Sequence, residues 1–119
     1  MAILVADDSV VERTHLQTIL EKQGKQVILA SSGAEGITLA KQHKPEMIFL
    51  DIVMGEMDGY KVCRAITKDD ATKGIPVVMV SSKKNKADKI WATAQGATDY
   101  VVKPYEDESI LECLKKYAP

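Results

Sequence analysis

What most constrains this chain is a rhythm of short apolar runs separated by segments with helical spacing. The runs are Ile3-Leu4-Val5, Val27-Ile28-Leu29, Met47-Ile48-Phe49-Leu50, Val77-Val78-Met79-Val80 and Tyr100-Val101-Val102. Each is too short for a helix and too apolar to alternate inside and outside, which is the mark of a strand covered on both faces. Between them, Leu16, Ile19 and Leu20 form one stripe that stops at Gly24, and Ile37 with Ala40 a second that ends before Pro45. Val62 and Ile66 form a third, with Pro76 opening the strand after it. Ala87, Ile90, Trp91 and Ala94 form a fourth, closed by Gly96, and Ile110, Leu111, Leu114 and Tyr117 the last. Five βα units in succession predict an α/β fold, a doubly wound parallel sheet of five strands joined by right-handed crossovers.

The 119 residues suffice for one domain, residues 1–119, burying about two-thirds of its unfolded surface without disulfides or structural metal. Sixteen Lys and Arg against 17 Asp and Glu give a formal charge of −1, so general affinity for nucleic acid is not expected. No window approaches about 18 consecutive apolar residues, and the first strand begins at once, so neither membrane insertion nor a signal peptide is expected. The expected location is the cytoplasm, as a monomer. Cys63 and Cys113 fall in separate helices with no CxxC spacing, and read as small half-buried hydrophobes in a reducing compartment.

In such a sheet, ligands bind beyond the carboxyl ends of the strands, at the topological switch point. Strand one ends in Asp7-Asp8, strand three in Asp51, strand four in Ser81-Ser82 and strand five in Lys103-Pro104; strand two ends uncharged in Ala30-Ser31-Ser32. A carboxylate directly after Met47-Ile48-Phe49-Leu50 costs several kcal/mol to desolvate unless it is paired or metal-bound. If the strand order is 2-1-3-4-5, Asp7, Asp8 and Asp51 converge. Three carboxylates so placed require either protonation or a hard cation, and Mg²⁺, which accepts a few oxygen ligands and shares them with phosphoryl groups, is the economical choice. Ser81 and Lys103 stand opposite, able to contact phosphoryl oxygens, so the chemistry inferred is an aspartyl phosphate at Asp51. Singly, each residue has a plainer reading: Asp8 with Ser9 as a helix N-cap, Ser81 as turn chemistry, Lys103 as a loop lysine. Their coincidence on one sheet edge favours the site.

The stretches ILVADDS, MIFLDIVM with MDG, IPVVMVSS and QGATDYVVKP resemble the receiver domain of a two-component response regulator, of the stand-alone chemotaxis type. The likeness covers nearly the whole chain. It implies the flavodoxin-like (βα)5 receiver fold, for which 2-1-3-4-5 is the known order, so that order comes with the family. It also implies that Asp51 is the phosphoacceptor, that Asp8, Asp51 and the Val53 carbonyl bind Mg²⁺ directly, and that Asp7 holds the ion through water. Ser81 and Lys103 would contact the phosphoryl group, and Tyr100 would turn inward when Ser81 is drawn to it. The implied partners are a histidine kinase as phosphodonor and a target protein docking on helix 4, strand 5 and helix 5. Such a protein is a phosphorylatable switch with slow self-dephosphorylation, not an enzyme acting on substrates. A cis peptide at Lys103-Pro104 is a further implication. Lys89-Ile90-Trp91 and Gln95-Gly96-Ala97 are similar to regulators of type IV pilus twitching motility; Ile90 and Trp91 read equally well as partly core, partly covered surface.

Two positions depart from the family pattern. Gly55 stands where proline is usual, which opens positive φ and implies a looser or differently turned loop. Val53 cannot hydrogen-bond an attacking water, so hydrolysis of the phosphate should run at its own rate. Val53 also argues against a Mg²⁺-dependent aspartyl-phosphate phosphohydrolase, which needs a second Asp there as general acid. A flavin protein is disfavoured because Asp7-Asp8 replaces the phosphate loop. A receiver excised from a longer regulator would look the same. Lys83, Lys84, Lys86 and Lys89 crowd the loop after Ser81: a solvated loop, or a charge that loosens the start of helix four and steers an acidic kinase domain.

Overall fold

The computed structural model describes residues 1–55 and 58–119. Met57 of the MDG match lies outside the described residues. Strands and helices alternate from end to end: β1 (Ala2–Ala6), α1 (Val10–Lys22), β2 (Gln26–Ala30), α2 (Gly33–His43), β3 (Met47–Asp51), α3 (Gly59–Lys68), β4 (Val77–Ser81), α4 (Lys86–Ala94), β5 (Asp99–Val102) and α5 (Asp107–Tyr117). The sheet is parallel, in the order β2-β1-β3-β4-β5. The expected flavodoxin-like receiver fold is therefore the one observed. The register aligns Val5 with Phe49 and Ala6 with Leu50 across β1 and β3, which brings the residues just beyond both strands to the same edge.

The two-residue period of each strand divides the core between the sheet's faces. Ile3, Val5, Met47, Phe49, Val78 and Val80 pack with Leu16, Leu20, Ile110 and Leu114 under α1 and α5. Leu4, Ile48, Leu50, Val77 and Met79 pack with Ala40, Val62, Ile66 and Ala92 under α2, α3 and α4. Cys63 and Cys113 are free and more fully buried than their sequence context implies, and they lie on opposite faces of the sheet, so they cannot pair. Gly24 takes the left-handed conformation after α1, at φ +76°, where a C′ glycine is expected. No helix among the described residues is long and apolar enough to cross a membrane.

The fourth helix departs from its sequence pattern. Ala87, Ile90, Trp91 and Ala94 all face outward, with Ile90 59% and Trp91 55% exposed, while Ala92 and Gln95 are buried instead. The rotation has a polar cause at the helix end. Thr67 Oγ1 on α3 donates to the Gln95 carbonyl at 2.9 Å, and Gly96, at φ +97°, passes so close that a Cβ would meet Thr67 Oγ1 at 2.5 Å. Those contacts turn residues 92 and 95 toward α3 and leave the apolar stripe in solvent. Trp91 makes a T-shaped contact with Tyr60, their ring centroids 6.4 Å apart.

Candidate functional site

The loops after β1 and β3 carry the acidic residues to one point. Carboxylate oxygens of Asp7, Asp8 and Asp51 all lie within 4.8 Å of one another, with Asp7 and Asp51 buried and Asp8 exposed. Local hydrogen bonds hold this arrangement. Asp7 Oδ1 accepts from the Ser9 N–H at 2.9 Å, and the Asp7 carbonyl accepts from Arg13 Nη1 at 2.9 Å, so α1 itself fixes Asp7. The helix cap falls to the Ser9 hydroxyl, which accepts from the Glu12 N–H at 3.3 Å, and not to Asp8 as the plainer reading had it. The Val53 N–H donates to Asp51 Oδ1 at 3.4 Å.

Lys103 reaches this cluster from β5. Its Nζ lies 3.1 Å from Asp7 Oδ2, 3.7 Å from Asp51 Oδ2 and 3.6 Å from Glu12 Oε2. Burial alone would lower the lysine's pKa, but the surrounding carboxylates of Asp51, Asp7 and Glu12 outweigh it and shift it upward. For Asp51 the balance runs the other way. Desolvation and the nearby Asp7 outweigh the attraction of Lys103 and the Val53 and Ile52 amides, and push its pKa up to about 6. A divalent cation would answer this excess of negative charge. The donors are hard carboxylate oxygens, three of them, with no sulfur or imidazole in the group, which is the chemistry that suits Mg²⁺.

Asp7, Asp51, Val53, Lys103 and Pro104 all line one groove of about 540 Å³. The hydroxyl expected beside them, that of Ser81, is fully buried at the end of β4, and its neighbour Ser82 lines the groove instead. The Ser81 Oγ accepts from the Lys83 N–H at 3.2 Å and the Ser81 carbonyl from the Lys103 N–H at 2.8 Å. Tyr100 points its hydroxyl to the same loop and donates to the Lys83 carbonyl at 2.5 Å. The Lys83 residue thus joins the two residues expected to switch. The Lys103-Pro104 peptide is cis, and Gly55 sits at φ +54°, a value closed to the proline that the family usually places there.

Two residues matter here that the sequence reading left out. Gly59 opens α3 against the back of the site: its N–H donates to the Ile52 carbonyl at 2.6 Å, and a Cβ on it would lie 2.2 Å from the Asp51 carbonyl oxygen. Its place in MDG was the available signal. Glu12, the other, had a different evident use as a helix-capping residue.

Residues 3–115 match the model of a family described as the response regulator receiver domain. Among curated proteins, Protein PilH of Pseudomonas aeruginosa is 43% identical over 112 residues, covering 94% of this chain and 93% of that protein. Protein PilG of the same organism is 35% identical over 119 residues, covering 100% and 88%. Among solved structures, the Vibrio cholerae chemotaxis protein CheY4 superposes with a TM-score of 0.92 at 29% identity, over 98% of both chains.

Proposed function

The chain belongs to the response regulator receiver domain family, and on that premise we propose that it is the phosphoacceptor switch of a two-component system, with Asp51 as the acceptor. The observation that carries this reading is the meeting of Asp7, Asp8 and Asp51 within 4.8 Å, with the Lys103 ammonium 3.7 Å from Asp51. Asp8, Asp51 and the Val53 carbonyl would hold Mg²⁺, backed by Asp7. When bound, the ion supplies the positive charge that lets a carboxylate and a phosphoryl group share one site.

The remaining chemistry is the chain's own. A carboxylate oxygen of Asp51 attacks the phosphorus of a phosphohistidine on a histidine kinase. The new O–P bond forms as the P–N bond breaks, and its electron pair leaves on the imidazole nitrogen. Lys103 exchanges its carboxylate partners for phosphoryl oxygens. If the Ser81 hydroxyl also turns to the phosphoryl group, the Lys83 N–H loses its acceptor, the loop shifts, and Tyr100 loses the Lys83 carbonyl. That sequence carries a change at Asp51 to the surface of α4, β5 and α5, where a target protein docks. The outward Ile90 and Trp91 give that surface apolar character. The resemblance of residues 89–91 and 95–97 to regulators of type IV pilus twitching motility supports a pilus-motility apparatus as the output.

Incubation with Mg²⁺ and a small acyl phosphate tests the proposal. One acid-stable, base-labile phosphoryl group is expected on the native protein and none on Asp51→Asn; equal labelling of the two would defeat it. Turnover of a generic phosphomonoester would favour the phosphohydrolase instead, although Val53, 56% exposed at the site, is no proton donor.

A further inference from the structure

Glu12 stands three residues after the N-cap Ser9, and S-x-x-E is the pattern of a capping box, in which the carboxylate accepts from the N-cap backbone N–H. In α1 that box is half made, because the Ser9 N–H donates instead to Asp7 Oδ1 at 2.9 Å. In α4 the box is complete, with Asp88 Oδ2 accepting from the Asn85 N–H at 3.2 Å, and ahead of α2 Glu35 Oε1 accepts from the N–H of Ser31, one residue before the N-cap Ser32, at 2.6 Å. Glu12 alone of these three acids is turned away from its helix end. Its carboxylate lies at the rim of the groove, 3.6 Å from Lys103 Nζ.

We infer that Glu12 is a positioning residue for Lys103, holding the ammonium when Asp51 carries no phosphoryl group and competing with the phosphoryl oxygens for it. The inference rests on the reading of Asp51 as a phosphoacceptor. Among the described residues Lys103 has three carboxylate neighbours, of which Asp7 and Asp51 belong to the acidic cluster and have a cation or a phosphoryl group to engage. Glu12 lies outside that cluster, so it remains a rival for Lys103 after the other two are occupied. Its side chain is 41% exposed, which limits the strength of the competition. Glu12 therefore sets how firmly the phosphorylated state captures its lysine.

The test is a double-mutant cycle read on beryllofluoride, a phosphoryl mimic, bound at saturating Mg²⁺. Native protein, Glu12→Gln, Lys103→Ala and the double variant are compared, with mimic concentrations raised until the weaker Lys103→Ala proteins saturate. Glu12→Gln is expected to bind the mimic about two- to fivefold more tightly, the scale of a partly exposed ion pair, and the gain should vanish in the Lys103→Ala background. A purely structural role for Glu12 would lower the melting temperature and leave mimic affinity unchanged, which overturns the inference. An equal gain with Lys103 absent overturns it too, because the charge would then act directly on the anion. If the native protein binds no mimic and Asp51 takes no label, the phosphoacceptor reading itself fails, and the native protein alone reveals that.

Discussion

Asp51 is only 9% exposed, and its pKa is pushed from 3.8 up to about 6, so the ionised form is a burden on the metal-free fold. A raised carboxylate pKa means that the folded state holds the proton more tightly than the unfolded one. The associated stability is fully present below pH 3.8 and is lost as pH rises through about 6. A shift of about two units sets a ceiling of about 3 kcal/mol on the cost of the charge at neutral pH. Asp51→Asn removes that charge but also a partner of Lys103, which leaves a net gain of about 1–3 kcal/mol. For 119 residues the unfolding entropy is about 0.25 kcal/mol per kelvin, so the gain corresponds to about 4–12 °C in Tm. Thermal unfolding of both proteins in chelator, from about pH 3.5 to pH 8, measures it directly. The Tm difference should open between pH 3.8 and about 6, stay constant above, and shrink when Mg²⁺ is added. A difference independent of pH, or a less stable Asp51→Asn at pH 8, would refute the reasoning.

Gly59→Ala sets a methyl group 2.2 Å from the Asp51 carbonyl oxygen and 2.6 Å from Ile52 Cα, both backbone. It should cost about 1–3 kcal/mol in denaturant unfolding and slow labelling of Asp51, since the clash displaces the acceptor's own peptide. Phe49→Ala, deep under α1 and α5, should cost about 3–5 kcal/mol in the same assay while leaving the acidic cluster's chemistry intact in whatever fraction remains folded. Neutralising Lys83, Lys84, Lys86 and Lys89 together should slow phosphotransfer from a kinase at low salt and have little effect at high salt, read as rate against ionic strength.

Much of this was legible because β strands that are buried on both faces announce themselves as continuous apolar runs, and each run here stops at a polar residue. Asp7, Asp51 and Lys103 could be placed on one edge from that alone, once the strand order was supplied by the family resemblance. The fourth helix was not legible in the same way. Periodicity reports that Ala87, Ile90, Trp91 and Ala94 share a face, but not which way it points; the Thr67–Gln95 hydrogen bond and the close approach at Gly96 decide that. Glu12 was hidden for a related reason. Its sequence signal is local, a capping box, and the contact that displaces it comes from Asp7, while its new partner, Lys103, lies 91 residues away, just beyond β5. The position of Ser81, buried behind Ser82, likewise depends on how β4 meets β5, with Ser81 in register with Val102. Long-range polar contacts of this kind leave no period in the chain.

The central claim is that Asp51 itself carries the phosphoryl group. Borohydride reduces an acyl phosphate to an alcohol, converting the labelled aspartate to homoserine, and peptide mass spectrometry then locates it. After incubation with Mg²⁺ and a small acyl phosphate, homoserine is expected in place of Asp51, with Asp7 and Asp8 unaltered. Homoserine in place of Asp7 or Asp8, or at no position in protein that has taken up label, would contradict it.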